Sequence, residues 1–304
     1  MPEALVTQHL TRLPDDYFDT FDTPRIEAHL RALDKLSPEN PVEFEYEVGA
    51  GGGVSCTIFA FDCRAAFAMI TGILAGSGMS IESGQSFTYG PSTPAARGSG
   101  RRRGRSARSR DTLLYRRRIV DAFEGRLDRG SISPAAWGEA ATHSLHDVFG
   151  LLEKRDAASV AQAKHRVDDL VGERLEQMRF AAERSMFPVS IDIDNSMPTS
   201  THLHVVGEDT PFFLYSLSNA LALRQYSIEK VEIATHDTQV EDDLFVVDSG
   251  GRKIEAEDRL NQLRLAVLLT KQFTYFLGNA PNPHAALARF ELMVDDLLAV
   301  PESG

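Results

Sequence analysis

Thr201-His202-Leu203-His204-Val205-Val206, then Glu208-Asp209-Thr210-Pro211, then Phe212, Phe213, Tyr215, Leu217, Ala220, Leu221 and Leu223 decide how this chain is read. The alternation of the first segment predicts a half-buried strand. Pro211 cannot donate to a strand ladder but suits a first helical position, so the acidic turn passes the chain into a helix. Beyond it, Ser227-Ile228-Glu229-Lys230-Val231-Glu232-Ile233-Ala234-Thr235 alternates again. Asp237 and Thr238 mark a turn, Asp243-Leu244-Phe245-Val246-Val247-Asp248 gives a third strand, and Ser249-Gly250-Gly251 closes it. Helical spacing returns over 256–276. Strand, helix, strand, strand, helix is most of a βαββαβ unit.

These residues resemble an ACT domain, and in particular the C-terminal ACT pair of the PII uridylyltransferases. Val189-Ser190-Ile191-Asp192-Ile193-Asp194-Asn195-Ser196 resembles that family's lead-in strand. Asp209-Thr210-Pro211-Phe212-Phe213-Leu214 is similar to its Asp-Arg-Pro-Gly-Leu loop, with Phe212 standing where the Gly would be. Ile233-Ala234-Thr235 and the run from Asp243 to Asp248 resemble its Ile-x-Thr and Asp-x-Phe-x-Val-x-Asp hairpin. The resemblance implies a small ligand-sensing module in which the loop glycine lets backbone N–H groups approach a bound amino acid. It places the ligand-binding residues at Asn195, Ser196, Asp209, Thr210, Pro211, Phe212 and Phe213. The bulk of Phe212 would narrow such a pocket.

A second, degenerate copy lies upstream. Val54 to Asp62 reads as a strand, Arg64-Ala65-Ala66-Phe67-Ala68-Met69-Ile70 opens a helix ending at 76–78, and 80–89 resembles the second strand. A third strand is expected within 113–123. Its loop, Asp62-Cys63-Arg64-Ala65-Ala66-Phe67, has lost both Pro and Gly, and Asp62, Arg64 and Ala65 are the matching site positions. An internal repeat sets the whole architecture. The expectation is an α+β fold of two ferredoxin-like βαββαβ (ACT) units. A helical N-terminal segment spans 1–40, a first unit 41–155, a helical linker 156–186, a second unit 187–275 and a helical tail 276–304.

The segments around the units are helical in pattern. Thr23-Pro24 opens an amphipathic helix with Ile26, Leu30 and Leu33 on its apolar stripe. The uridylyltransferase resemblance extends to a turn Tyr and a helix His there, Tyr17 and His29, and His29 reads as a partly packed surface residue. Ser133-Pro134 caps a helix carrying Trp137, Leu145, Val148, Phe149 and Leu152, and a longer helix follows over 160–178. It either bridges the units or belongs to a small inserted bundle. Residues 90–111 are rich in Arg, Ser, Gly and Pro, too poor in apolar residues to offset ordering, and read as an insertion in a hairpin.

Composition narrows the function classes. The 304 residues carry a formal net charge of -12, which argues against a phosphate-backbone partner despite the local arginines. Hydrophobic residues make up 42%, ordinary for a soluble fold. The two cysteines, Cys56 and Cys63, lack a second pair for zinc and are poorly placed for a disulfide, and no window suits a bilayer. A cytoplasmic protein with no cofactor and no membrane partner is expected.

Two fragments imitate catalytic motifs. Asp192-x-Asp194 is similar to the paired carboxylates of nucleotidyltransferases, but no Gly-Ser turn precedes it, and alternation with Ile191 and Ile193 puts both on the solvent face of a strand. His143-x-x-His146-Asp147 resembles part of an HD phosphohydrolase motif without the rest of the set. In the tail, Gln272-Phe273-Thr274-Tyr275-Phe276-Leu277 and then Asn282-Pro283-His284-Ala285-Ala286-Leu287-Ala288-Arg289-Phe290 resemble the opening of the glutamine synthetase adenylyltransferase catalytic region. The resemblances together imply a regulatory tandem ACT module of nitrogen metabolism. It would sense an amino acid, glutamine first, or dock a partner domain, and so control a nucleotidyltransferase acting on PII or glutamine synthetase. The partners implied are an amino-acid effector, a nucleotidyltransferase domain or nitrogen-regulatory protein, and a homodimer where such sheets pair. Two alternatives stay open: a uridylyl- or adenylyltransferase-family enzyme in its own right, and an interaction module that binds no small molecule.

Overall fold

The computed structural model describes residues 2–91, 113–128, 133–178, 189–236, 239–277 and 280–298. Most of the Arg-rich stretch, the turn at 237–238 and the end of the expected linker lie outside them. Three helices open the chain: α1 (Glu3–Arg12), α2 (Asp15–Thr20) and α3 (Thr23–Asp34). Two repeats follow. The first is β1 (Val42–Val48), β2 (Gly53–Phe61), α4 (Ala66–Gly76), β3 (Met79–Thr88), β4 (Arg118–Leu127) and α5 (Pro134–Leu152). After α6 (Ala157–Gln177) the order recurs as β5 (Ser190–Asp194), β6 (Thr201–Glu208), α7 (Phe213–Leu223), β7 (Ser227–His236), β8 (Gln239–Val247) and α8 (Glu257–Leu277). Helix α9 (Pro283–Leu298) ends the described chain.

The α+β class stands, and each repeat reads ββαββα: the edge strand comes before the unit rather than after it. Val42-Glu43-Phe44-Glu45-Tyr46-Glu47-Val48 supplies that strand in the first repeat, and its period-2 alternation is a strand signal the sequence reading did not assign. The strands form one eight-stranded sheet, ordered β1-β2-β4-β3-β7-β8-β6-β5, antiparallel throughout. The mirrored order places the repeats edge to edge, joined where β3 pairs with β7 from Ser83↔Ala234 to Phe87↔Lys230.

Helices α4 to α8 cover one face of the sheet, with a core running through Ile58, Ile70, Phe123, Trp137, Leu203, Leu217 and Leu244. Every residue of α4 except Ala75 is buried, as expected of a helix apolar on all sides. It lies against α6 and α7, and a Cβ on Gly72 would fall 2.5 Å from Val167 Cγ1 and 2.7 Å from Tyr215 Cδ2. Helix α6, expected as a linker, therefore crosses α4 as part of the core layer. Ser133 caps α5 by accepting from the Ala136 N–H at 3.2 Å, and Trp137 is fully buried beside Phe44 of β1.

Helices α1 to α3 cover the opposite face of the first repeat, burying Tyr17, Leu30 and Leu33 against Phe59, Phe61, Phe87 and Val120, and reach the second repeat at the junction, where Asp16 of α2 pairs with Lys230 of β7. This corrects the surface assignment of His29. It is buried, and its Nδ1 lies 2.7 Å from the Tyr17 hydroxyl, because the polar edge of α3 is pressed onto the sheet. The cap of α3 is Asp22, whose carboxylate accepts from the Arg25 N–H at 2.9 Å. Strand β4 starts five residues later than 113, where the expected strand began. Arg116 is instead occupied by Glu153, at 2.7 and 2.8 Å, and by the Phe61 ring, 3.7 Å from its guanidinium.

Candidate functional site

In each repeat the loop between the second strand and the following helix turns through one left-handed residue. Ala65 has φ 64° and Phe212 has φ 58°, both immediately before the helix starts. Phe212 is the residue read as replacing the ACT-type glycine, so the loop keeps the glycine conformation without the glycine. For an L residue that geometry costs about 1–2 kcal/mol.

Beside each loop lies a cavity at the junction of the repeats. One, of about 240 Å³, is bounded by Asp209, Thr210, Pro211, Phe212 and Phe213 from the second repeat and by Thr71, Ala75 and Met79 from the first. The other, of about 340 Å³, is bounded by Asp62, Cys63, Arg64 and Ala65 from the first repeat and by Ser218, Ala222 and Tyr226 from the second. Phe212 walls the smaller cavity without closing it. Pockets for drug-sized ligands run to roughly 300–1,000 Å³, so the first falls below that range and the second lies at its lower end.

Each cavity has a buried aspartate that the sequence reading did not single out. Asp121 of β4 lines the larger and Asp242 of β8 the smaller. Asp121 is fully buried and accepts from Ser86 Oγ at 2.6 Å, and burial pushes its carboxyl up to about 7. Burial likewise raises Asp242 and lowers Lys271, whose ammonium sits 3.7 Å from the Phe213 ring centroid. Among the described residues, neither carboxylate oxygen of Asp242 nor Oδ2 of Asp121 has a hydrogen-bond partner, and neither has the Tyr226 hydroxyl. Buried polar atoms without partners are costly, and at a cavity wall they are available to a ligand.

Not all the predicted site residues come together. Arg64 reaches across the junction and donates to the Ala222 carbonyl from Nη2 at 2.7 Å and from Nε at 3.2 Å, capping the end of α7. Asp62 meets Arg117 at 3.2 Å, and Arg117 also pairs with Glu229 of the second repeat, so this network crosses the joint; burial still raises Asp62 to about 6. The Thr210 hydroxyl is bound to that of Thr274 at 2.9 Å. Asn195 and Ser196 stand elsewhere. They precede β6 whereas Asp209 to Phe213 follow it, so the strand's eight residues separate them by roughly 25 Å. Asn195 donates its amide to the Ile254 carbonyl at 2.8 Å and Ser196 donates to Asp194, which ties down a loop.

The catalytic look-alikes are dispersed too. Asp192 and Asp194 are exposed on the outer face of β5. His143 and His146 are exposed on α5, and Asp147 pairs with Arg166 of α6. Both cysteines are free. Among the described residues no helix is long and apolar enough to cross a membrane.

Fold and cavities together define a duplicated α+β sheet protein in which the left-handed loop of each repeat borders an acid-floored cavity shared with the other repeat. Against known proteins, the chain is similar to the bifunctional uridylyltransferase/uridylyl-removing enzyme of Azospirillum brasilense, at 25% identity over 268 residues, 86% of this chain. The chain spans about a quarter (24%) of that relative's length. No protein-family model matches it.

Proposed function

We propose that this chain is a tandem ACT regulatory module of nitrogen metabolism that senses an amino acid, glutamine first, and controls a nucleotidyltransferase acting on PII or glutamine synthetase. The observation that carries the reading is the repetition of one composite arrangement: a left-handed loop, a helix N-terminus and a buried aspartate around a junction cavity, twice. A zwitterion suits these walls. Its ammonium would meet the unpaired oxygens of Asp242 or Oδ2 of Asp121, and its carboxylate the first-turn N–H groups of α7 or α4 that follow Phe213 and Ala66, whose own N–H groups donate to the Thr210 and Cys63 carbonyls. Because both repeats line each cavity, a ligand would tie them together, and a coupling free energy of about 1–3 kcal/mol would pass to an attached domain. The similarity to the bifunctional enzyme supports the nucleotidyltransferase connection.

The test is thermal unfolding of the purified chain with each common amino acid. At one hundred times its dissociation constant a ligand adds about 2.7 kcal/mol of stability, several degrees in Tm. A shift with glutamine that Asp209→Ala and Asp242→Asn both abolish supports sensing. No shift with any amino acid overturns it in favour of the reading that Phe212 favours, a module that acts through protein contacts alone.

A further inference from the structure

We propose that His202, His204 and Asp243 form a binding site for a first-row divalent transition-metal cation, of the zinc type, on the outer face of the second repeat. The site lies on the opposite side of the sheet from the cavities. Leu203 and Val205 point into the core and are fully buried, so His202 and His204 project from the other face of β6. Asp243 of β8 pairs directly with His204, and Phe245 with His202. His202 Nε2 lies 2.5 Å and His204 Nδ1 2.9 Å from the same oxygen, Asp243 Oδ1. One donor atom from each of the three falls within 4.8 Å of the others. Tetrahedral ligands with bonds near 2.0–2.2 Å stand roughly 3.3–3.6 Å apart, so the three hydrogen-bonded side chains need only small rotations to open around one ion.

The surroundings suit a cation. The His202 ring stacks on Phe245 with centroids 4.7 Å apart and planes 9° from parallel, which fixes its rotamer. Asp192 and Asp194 of β5 stand in register opposite His204 and His202, and Glu241 Oε1 is 3.9 Å from His204 Nε2. Carboxylates thus flank two imidazoles on both neighbouring strands. The three side chains are about one-quarter exposed, which leaves coordination positions open to water. Two imidazoles with one carboxylate prefer zinc and its first-row neighbours, whereas magnesium and calcium prefer oxygen alone.

The duplication shows that the scaffold does not require these residues. At the corresponding places in the first repeat stand Ser55, Thr57 and Ala122, related to His202, His204 and Asp243 by the strand pairing of each unit. There α3 covers the face, with Arg25 Nη2 3.5 Å from Thr57 Oγ1. At these three positions the donor set is found in the second repeat, where α3 does not lie over the strands.

The experiment is a titration of the chelator-stripped full chain with Co²⁺, read by its visible d–d absorption, and then competition by Zn²⁺. Saturation at one equivalent, displaced by Zn²⁺ and weakened at least about tenfold in each of His202→Gln, His204→Gln and Asp243→Asn, is the expected result. His146→Gln, at an exposed position of α5, serves as the control and retains the band. The metal-free Tm of each variant shows that it is folded. Absence of a saturable signal, its persistence in His204→Gln and Asp243→Asn, or its loss in His146→Gln would overturn the site.

Discussion

Asp121 and Asp242 occupy one and the same position in the two repeats. Asp121 lies across from Ile58 in β2 and Asp242 across from Val205 in β6, and Ile58 and Val205 precede the left-handed residues Ala65 and Phe212 by the same number of places. Both face the helical layer, both are buried, and both are raised by that burial. A duplicated scaffold that keeps a costly buried carboxyl in both copies concentrates polarity at the two cavities beside the left-handed loops.

The first prediction follows from linkage. Asp121 holds its proton up to about 7 when folded and loses it near 3.8 when unfolded, so its contribution is full below 3.8 and is lost as pH rises through 7. Asp121→Asn should therefore be close to neutral at pH 4 and stabilising at pH 8, by as much as about 4 kcal/mol. Urea unfolding at the two pH values checks it, and an equal change at both would refute the buried-acid account.

His29 works in the opposite direction. Burial lowers it to about 4, so its neutral form supports folding above the unfolded value of 6.5, and that support is lost as pH falls towards 4. Its Nδ1 depends on the Tyr17 hydroxyl. Tyr17→Phe leaves this nitrogen without a partner and should cost about 1–3 kcal/mol at pH 7, measured by chemical denaturation. A change below a few tenths would mean that the contact contributes nothing.

The left-handed residues separate conformation from burial. Ala65→Gly removes a strained Cβ and should stabilise by up to about 1 kcal/mol, a gain of a few degrees in Tm. Phe212→Gly relieves the same strain but removes a side chain only 8% exposed, and should lose about 2–4 kcal/mol net. Opposite signs from the same backbone change are the result to look for.

At Gly125 the limit is another backbone segment. A Cβ there would fall 2.0 Å from the Ser80 carbonyl oxygen, beside the register shift between Ile81 and Ser83 in β3. Neither strand can yield without losing its ladder, so Gly125→Ala should destabilise by at least about 2 kcal/mol. A wild-type denaturation midpoint for this variant would show that the bulge is soft.

Much of the fold was legible in local pattern. Strands 201–206 and 227–235 and the helix over 256–276 recur in the structure within a few residues, as period 2 and period 3.6 dictate. The cavity loops were legible through the resemblance of Asp209 to Leu214 and the echo at Asp62 to Phe67. Their acidic floors were not. In Glu241-Asp242-Asp243-Leu244 the two aspartates look alike, and a strand begun at Asp243 leaves Asp242 in the turn. Strand β8 begins at Gln239, and its pairing with β6 turns Asp242 inward and Asp243 outward. A single step along a strand thus sends one carboxyl to a cavity and the other to a pair of histidines.

The sequence by itself determined most of the element types, the duplication and the loop at which each repeat turns, because these depend on neighbours a few residues apart. Tertiary structure alone decided that β3 and β7 join the repeats into one sheet, that α3 buries His29, and that Asn195 and Ser196 stand far from Asp209. It alone gathered His202, His204 and Asp243 on one face. Each of these depends on which strands pair and in what register. That is a balance of burial and hydrogen bonding across the whole sheet, which no local run of residues contains.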